Sequence, residues 1–258
     1  MSTARPLALI TGASRGIGLA IAERLAETHD LVLVARDADR LAAAAARLGA
    51  AVAATRTAAL DDAAVLDDLI AELAAQTDRL ERPITALINN AGAASSAPLG
   101  RTPDALFDRM IALNARAPFS LTRALVPGMI RAGGGRVVTV ASTAALKGYA
   151  YTAAYSASKA AVVGWTRALA VELARKGVTV NAVCPGFTDT DIASDAIANI
   201  QRSTDRSEDQ AREALARFSP LQRLLDPREV ADLVAYLVSP AAAAINGQAI
   251  AIDGGETA

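Results

Sequence analysis

Short apolar runs alternate with helix-length amphipathic stretches along the whole of this 258-residue chain. The runs are LALIT (7–11), LVLVA (31–35), AVAAT (51–55), ALIN (86–89), RVVTVAS (136–142), VTVNAV (178–183) and QAIAID (248–253). Helix-length stretches lie between them at 17–28, 38–48, 62–76, 104–131, 154–175 and 227–238. Parallel strands need a crossover, and a helix is the usual one. The order therefore predicts an α/β fold, a doubly wound parallel sheet of about seven strands with helices on both faces. Most runs are continuously apolar, as strands covered on both sides should be.

Residues 187–226 break the rhythm. They hold no strand and read as two polar helices, DIASDAIANIQR and SEDQAREALARF, the second opened by a Ser207–Gln210 capping box. The segment follows the sixth strand at the carboxyl edge of the sheet, where ligands bind in this architecture, so a lid over a site is expected. The rest reads as one domain across 1–258.

Composition removes several classes of function. A 52% hydrophobic chain of this length can bury a large core, and a net charge of −1 gives no electrostatic footprint for nucleic acid. Apolar runs fall short of the ~18 residues that span a bilayer, and MSTARPLALITG lacks a signal-cleavage pattern. Cys184 is the single cysteine and His29 the single histidine, which argues against disulfides and against His/Cys metal sites. A cytoplasmic protein without metal, membrane or nucleic-acid partner is expected.

LALITGASRGIGLAIAERL runs strand, glycine turn, helix. Gly12 permits the tight turn, Gly16 lets backbone approach a phosphate, and Gly18 allows close packing. The helix that follows points free N–H groups at an anion. The same letters contain a Gly-x-Ser-x-Gly pattern around Ser14, the elbow of serine hydrolases. That chemistry needs a base, and His29 lies ~18 Å along a helix at 1.5 Å per residue. Ser14 is out of its reach.

Lysine occurs 3 times against 23 arginines, and tyrosine 4 times, yet Tyr155 and Lys159 stand four apart in TAAYSASKAAV. That spacing puts both on one helix face. Together with Gly12-x-x-x-Gly16-x-Gly18, LINNAG (87–92), Asn114 in NARAPF, Ser142, VNAVCPGFTDT (180–190) and NGQAIAIDGG (246–255), the pair resembles the short-chain dehydrogenase/reductase family over essentially the whole chain.

The resemblance implies a Rossmann-like sheet and a catalytic group of Asn114, Ser142, Tyr155 and Lys159. Around a nicotinamide cofactor it implies Ser14, Arg15, Ile17 and the three glycines at the turn. Asn89, Asn90, Ala91 and Gly92 would line its central portion; Pro185, Gly186, Thr188 and Thr190 would hold its nicotinamide end. Tyr155 would supply a proton, its pKa lowered by the nearby Lys159 ammonium, which would also bond the cofactor ribose. Ser142 would bond the substrate oxygen, and Asn114 would anchor a water leading from Lys159 to solvent.

Two departures stand out. Family members usually carry an aspartate just after the third strand for the adenine amino group; here TAAL (57–60) takes that place and Asp61 arrives late. The lid is also longer than in the commonest carrier-protein reductases of the family. At the tip of the second strand, NAD-specific members place an acid for the ribose 2′-hydroxyl. The matching position is Ala35, followed by Arg36, with Arg15 able to approach from the other side, so NADP(H) is expected over NAD(H). The bland reading of Arg36 is a loop residue paired with Asp37 or Asp39.

The function expected is reduction of a ketone, or oxidation of the matching alcohol. A 3-oxoacyl or aromatic, polyketide-like ketone suits PGFTDTDI, the lid and the small apolar groups around the tetrad. The alternative is a non-catalytic NADP sensor or scaffold. The helix after Tyr155 is apolar on more than one face, and the resemblance implies that it and the 104–131 helix pair across two-fold axes, giving a homodimer or homotetramer on which Trp165 reports.

Overall fold

A computed structural model of the chain describes residues 5–80 and 82–258. The first four residues, read above for a leader, lie outside them. The seven strands are β1 (Leu7–Thr11), β2 (Asp30–Ala35), β3 (Val52–Thr57), β4 (Ile84–Asn89), β5 (Gly135–Val140), β6 (Val178–Pro185) and β7 (Ala249–Ile252). They form one parallel sheet in the order β3-β2-β1-β4-β5-β6-β7. The order reverses between β1 and β4, where Ile10 pairs with Leu33 on one side and Ile88 on the other. Such a reversal opens a crevice at the carboxyl ends of the strands.

Nine helices accompany the described strands: α1 (Gly16–Leu25), α2 (Ala38–Leu48), α3 (Ala63–Leu80), α4 (Asp104–Ile111), α5 (Ala117–Arg131), α6 (Ala153–Leu173), α7 (Asp191–Ser203), α8 (Glu208–Ala216) and α9 (Pro227–Val238). Period-two alternation along the strands sorts them into two layers. Ala8 and Ile10 of β1, with Leu31 and Leu33 of β2, pack against Ile21 and Leu25 of α1 and Val234 of α9. Leu7 and Leu9, with Val32 and Val34, pack the other way, against Leu69 of α3, Leu121 of α5 and Leu173 of α6. β3 departs from the continuously buried pattern. Its residues alternate between half-buried and exposed because it is an edge strand.

The stretch expected as one helix over 104–131 is two. A π-helical turn, Ala112–Arg116, separates α4 from α5 and carries the buried Asn114. Pro118 explains part of this: without an N–H it withholds the donor an α-helix would bring to the carbonyl of Asn114. The two helices expected over 187–226 form, as α7 and α8. α8 has its capping box, with Gln210 N–H donating to Ser207 Oγ at 3.3 Å and Ser207 N–H to Gln210 Oε1 at 3.0 Å. Among the described residues no helix is long and apolar enough to cross a membrane.

Candidate active site

The glycine turn, the ends of β4 and β5, the first turns of α6 and the loop after β6 converge at the carboxyl edge of the sheet. Gly12 and Gly16 both have positive φ, 65° and 53°. A Cβ on Gly12 would meet Asn90 Nδ2 at 2.8 Å, and one on Gly16 would meet Thr190 Cγ2 at 3.1 Å. Gly18 packs so closely on the Gly12 carbonyl and the Asn90 amide that a side chain there has no room. Its close approach is thus to the turn itself.

Asn90 is the tie. Its Nδ2 donates to the carbonyls of Thr11 and Gly12, each at 3.1 Å. Thr11, which sequence reasoning missed, answers through Oγ1 by accepting from the N–H groups of Asn90 and Ala91, both at 3.0 Å. A threonine at the end of β1, directly before Gly12, was the only available signal. Asn89 turns inward instead: its side chain is buried and donates to Thr122 and Thr139 hydroxyls, each at 3.3 Å. It holds β4 to its neighbours and does not line the open edge. Ser14 and Ile17 are half-buried around the turn, Ile17 packing on the α1 layer. Ser14 has no base, because His29 is buried with its Nδ1 at 2.8 Å from Thr28 Oγ1.

The four catalytic candidates meet. Asn114 Oδ1 accepts from Ala93 N–H at 3.0 Å, while its Nδ2 donates to Ala93 O at 2.9 Å and Ser158 Oγ at 3.0 Å. Ser158 in turn donates to the Tyr155 carbonyl at 2.7 Å. A Cβ on Gly92 would lie 2.9 Å from Asn114 Oδ1 and 3.4 Å from Lys159 Nζ, so only glycine lets those groups close in. Lys159 is 5% exposed; its Nζ donates to Val140 O at 2.8 Å and lies 5.8 Å from the Tyr155 ring centroid. Ser142 Oγ accepts from Ala144 N–H at 3.1 Å, and its hydroxyl lies beside the Tyr155 phenol.

The electrostatics reverse one expectation. Tyr155 is pushed up from the ordinary phenol value, chiefly by burial, with the hydroxyl of Ser142 opposing. Burial also pulls Lys159 down to about 8. Burial governs the phenol here, while the ammonium is directed at the Val140 carbonyl. Cys184 is fully buried behind the group, and burial pushes its thiol up to about 11.

On the cofactor side, Pro185 ends β6 and Gly186 N–H donates to Ile252 O at 3.0 Å. Thr188 and Thr190 follow, Thr190 Oγ1 donating to Thr188 O at 3.2 Å. Arg36 is exposed at the tip of β2, and among the described residues no carboxylate pairs with it. Asp37 is engaged elsewhere, capping α2 through Arg40 N–H at 3.0 Å. Arg15 turns toward α7 instead, pairing with Asp191, which Arg40 also meets at 3.1 Å. Arg40 is a third guanidinium at this corner that sequence reasoning missed. These pairs are half-exposed, so each contributes little, ~0–1 kcal/mol, and is readily exchanged. Asp61 is drawn to Arg109 at 3.2 Å, so the place usually taken by the adenine-binding aspartate has no acid in its stead.

Beyond Ser142 stand three aromatic rings from three segments. Tyr149 meets Phe187 and Phe218 edge-on at centroid distances of 6.1 and 5.8 Å, and Phe187 lies 5.2 Å from Phe218. A hollow of about 580 Å³ at α7 and α8, lined by Ile200, Gln210, Leu215 and Phe218, touches none of the four catalytic candidates. Chemistry locates the site, not cavity size. Among the described residues no cluster of His, Cys, Asp and Glu could hold a metal.

Similarity to known proteins follows the same lines. The short chain dehydrogenase family profile matches residues 6–201. A Streptomyces coelicolor protein described as a ketoacyl reductase is 38% identical over 254 residues, 96% of each chain. A Vibrio cholerae 3-oxoacyl-acyl-carrier-protein reductase is 36% identical over 254 residues, again 96% of each. Among solved structures, a variant of actinorhodin polyketide ketoreductase with NADPH superposes at a TM-score of 0.91 with 36% identity, covering 98% of this chain and 97% of that one.

Proposed function

Because this chain belongs to the short-chain dehydrogenase/reductase family, we propose that the ketone it reduces is a ring-bearing 3-oxo compound of polyketide type. The enzyme is an NADP-dependent oxidoreductase acting between a ketone and a secondary alcohol. Asn114 and Lys159 closing on Gly92, with Tyr155 between Lys159 and Ser142 and an aromatic wall beyond, carry the reading.

The residues present fit the cofactor. Gly12 and Gly16 hold the turn in positive-φ conformations and Gly18 packs tightly on it, at the N-terminus of α1 where an anion is favoured. Arg36 is the unpaired cation at the β2 tip for a 2′-phosphate, with Arg15 and Arg40 able to exchange Asp191 for it. Asn90, Ala91 and Gly92 would line the cofactor's central portion, Pro185, Gly186, Thr188 and Thr190 would flank its nicotinamide end, and Lys159 would bond its ribose. When bound, NADPH supplies a hydride to the carbonyl carbon.

The chain supplies the rest. Burial keeps Tyr155 a neutral phenol, so it holds the proton that the carbonyl oxygen takes as the hydride arrives. The Ser142 hydroxyl, beside the phenol, turns its proton to the same oxygen and stabilises the charge that develops there. Once the phenol has given up its proton, the Lys159 ammonium is the nearby cation that stabilises the phenolate. The amide of Asn114 is engaged with Ala93 and Ser158. Its backbone carbonyl, which Pro118 leaves without an α-helical donor, is therefore the anchor for the water that leads from Lys159 to solvent.

Phe107, Phe119 and Val171 expose apolar surface on α4, α5 and α6, and we place the contacts of a homodimer or homotetramer there. A single buried cysteine suits a reducing, cytoplasmic setting. The test compares a bicyclic 3-oxo ketone with an acyclic 3-oxo thioester, using NADPH and NADH. Wild type should give the higher kcat/KM with the ring ketone and NADPH. Preference for the acyclic thioester would overturn the substrate class.

A further inference from the structure

Glu256, two residues before Ala258, places a carboxylate inside the protein with only 1% of its side chain exposed. Nothing in the chemistry above uses it. Its Oε1 accepts the Tyr149 hydroxyl and lies 3.4 Å from Lys147 Nζ. Its Oε2 abuts Gly186, where a Cβ would come within 3.1 Å. A buried carboxylate needs such partners, because an unpaired one is strongly disfavoured.

The hydrogen bonds around Tyr149 have one consistent direction. Its hydroxyl also lies 2.7 Å from Thr143 Oγ1. A carboxylate can only accept, so the phenol proton goes to Glu256 and the Thr143 hydroxyl donates to the phenol oxygen. Thr143 is buried and follows Ser142 directly. Lys147 Nζ sits 5.1 Å above the Tyr149 ring, and the ring meets Phe187 and Phe218 edge-on. Burial and the Glu256 bond push the Tyr149 phenol well above its ordinary range, so it remains a donor.

The tail itself is fixed. Asp253 accepts from the N–H groups of Gly255 and Thr257, both at 2.9 Å, and Ser219 Oγ donates to Asp253 O at 3.0 Å. One carboxylate thus joins the loop after β5, the loop after β6 and the chain terminus, behind a wall whose third ring, Phe218, belongs to the lid segment.

We propose that Glu256 is a positioning residue that sets selectivity between ring-bearing and acyclic ketones, by holding Tyr149 and through it the Phe187–Phe218 wall. The proposal rests on the substrate reading above for which ketone wild type prefers, but not for whether the preference shifts. The test measures kcat/KM for a bicyclic 3-oxo ketone and an acyclic 3-oxo thioester in wild type, Glu256→Ala, Glu256→Gln and Tyr149→Phe. Glu256→Ala and Tyr149→Phe should lower the ring-to-acyclic ratio roughly tenfold, mainly through KM, the scale of a lost pocket contact. NADPH affinity by fluorescence titration should stay within about twofold. Glu256→Gln keeps an acceptor for the phenol and should restore most of the ratio.

A substrate-free readout accompanies it. With 13Cζ-labelled tyrosine, the resonance missing in Tyr149→Phe identifies Tyr149, and it should move in Glu256→Ala. An unchanged ratio in Glu256→Ala and Tyr149→Phe, a Gln variant as impaired as Ala, or an unmoved resonance would each overturn the proposal. A wild type that prefers acyclic thioesters sinks only the substrate reading, since the shift in ratio is read independently of its starting value.

Discussion

Lys159 is an ammonium held where solvation is poor. Its pKa of about 8 lies below the 10.5 of a free lysine, so folding is penalised whenever the unfolded chain holds a proton there that the native state resists. The penalty is full below pH 8 and is relieved as pH rises from about 8 toward 10.5. Lys159→Met should therefore raise stability at pH 7 by up to roughly 3 kcal/mol while abolishing turnover, with the gain shrinking by pH 10. Urea melts at both pH values check this; destabilisation at pH 7 would refute it. Tyr155→Phe removes the proton source and should lower kcat about 10²–10⁴-fold while NADPH binding changes little. Arg36→Ala should weaken NADPH about 10- to 150-fold and leave NADH nearly unchanged, because charge-assisted bonds to the 2′-phosphate are lost. Equal weakening of both cofactors by titration would remove Arg36 from that role. The residue types were legible in the sequence because chemistry dictates them. The direction of the Tyr155 shift was not, since it depends on how much protein surrounds the phenol.

Elements were read well where periodicity decides them. Each strand run became a strand within a few residues, and the capping box of α8 formed as spelled. The π-helical turn escaped because ALNARAPF keeps helical patterning and the signal, Pro118, is ambiguous: Pro127 sits inside α5 without breaking it. The inward turn of Asn89 escaped for a different reason, since alternation along β4 says which side a residue faces only once its register is known. α9 offers an element-scale test. Asp226 caps it, accepting from Arg228 N–H at 2.8 Å, while Glu229 Oε2 accepts from Asp226 N–H at 2.8 Å. Asp226→Ala should cost about 1 kcal/mol in urea unfolding. Turnover should be unchanged, because α9 packs on α1 and the sheet rather than on the catalytic group. A fall in kcat at full occupancy would show that the cap matters beyond stability.

At the scale of the molecule, the exposed apolar faces of α4 to α6 call for company. Val171 is 83% exposed, and Phe119 meets Trp165 edge-on at 6.3 Å. Light scattering at micromolar concentration should give a multiple of 26.4 kDa, and Val171→Glu should lower it while shifting Trp165 emission. A monomeric wild type would refute the assembly. Whichever state prevails, the chain carries its own clock. Cys184 is the single thiol, it has no access to solvent, and burial suppresses its thiolate. An alkylating reagent finds no target until β6 leaves the sheet. The rate at which iodoacetamide is taken up should then count openings of the central structure directly. It should slow when NADPH is added, in proportion to the stabilisation that ligand confers on the native state. Alkylation at the rate of a free thiol, with or without the cofactor, would mean that the strand opens far more easily than its burial implies.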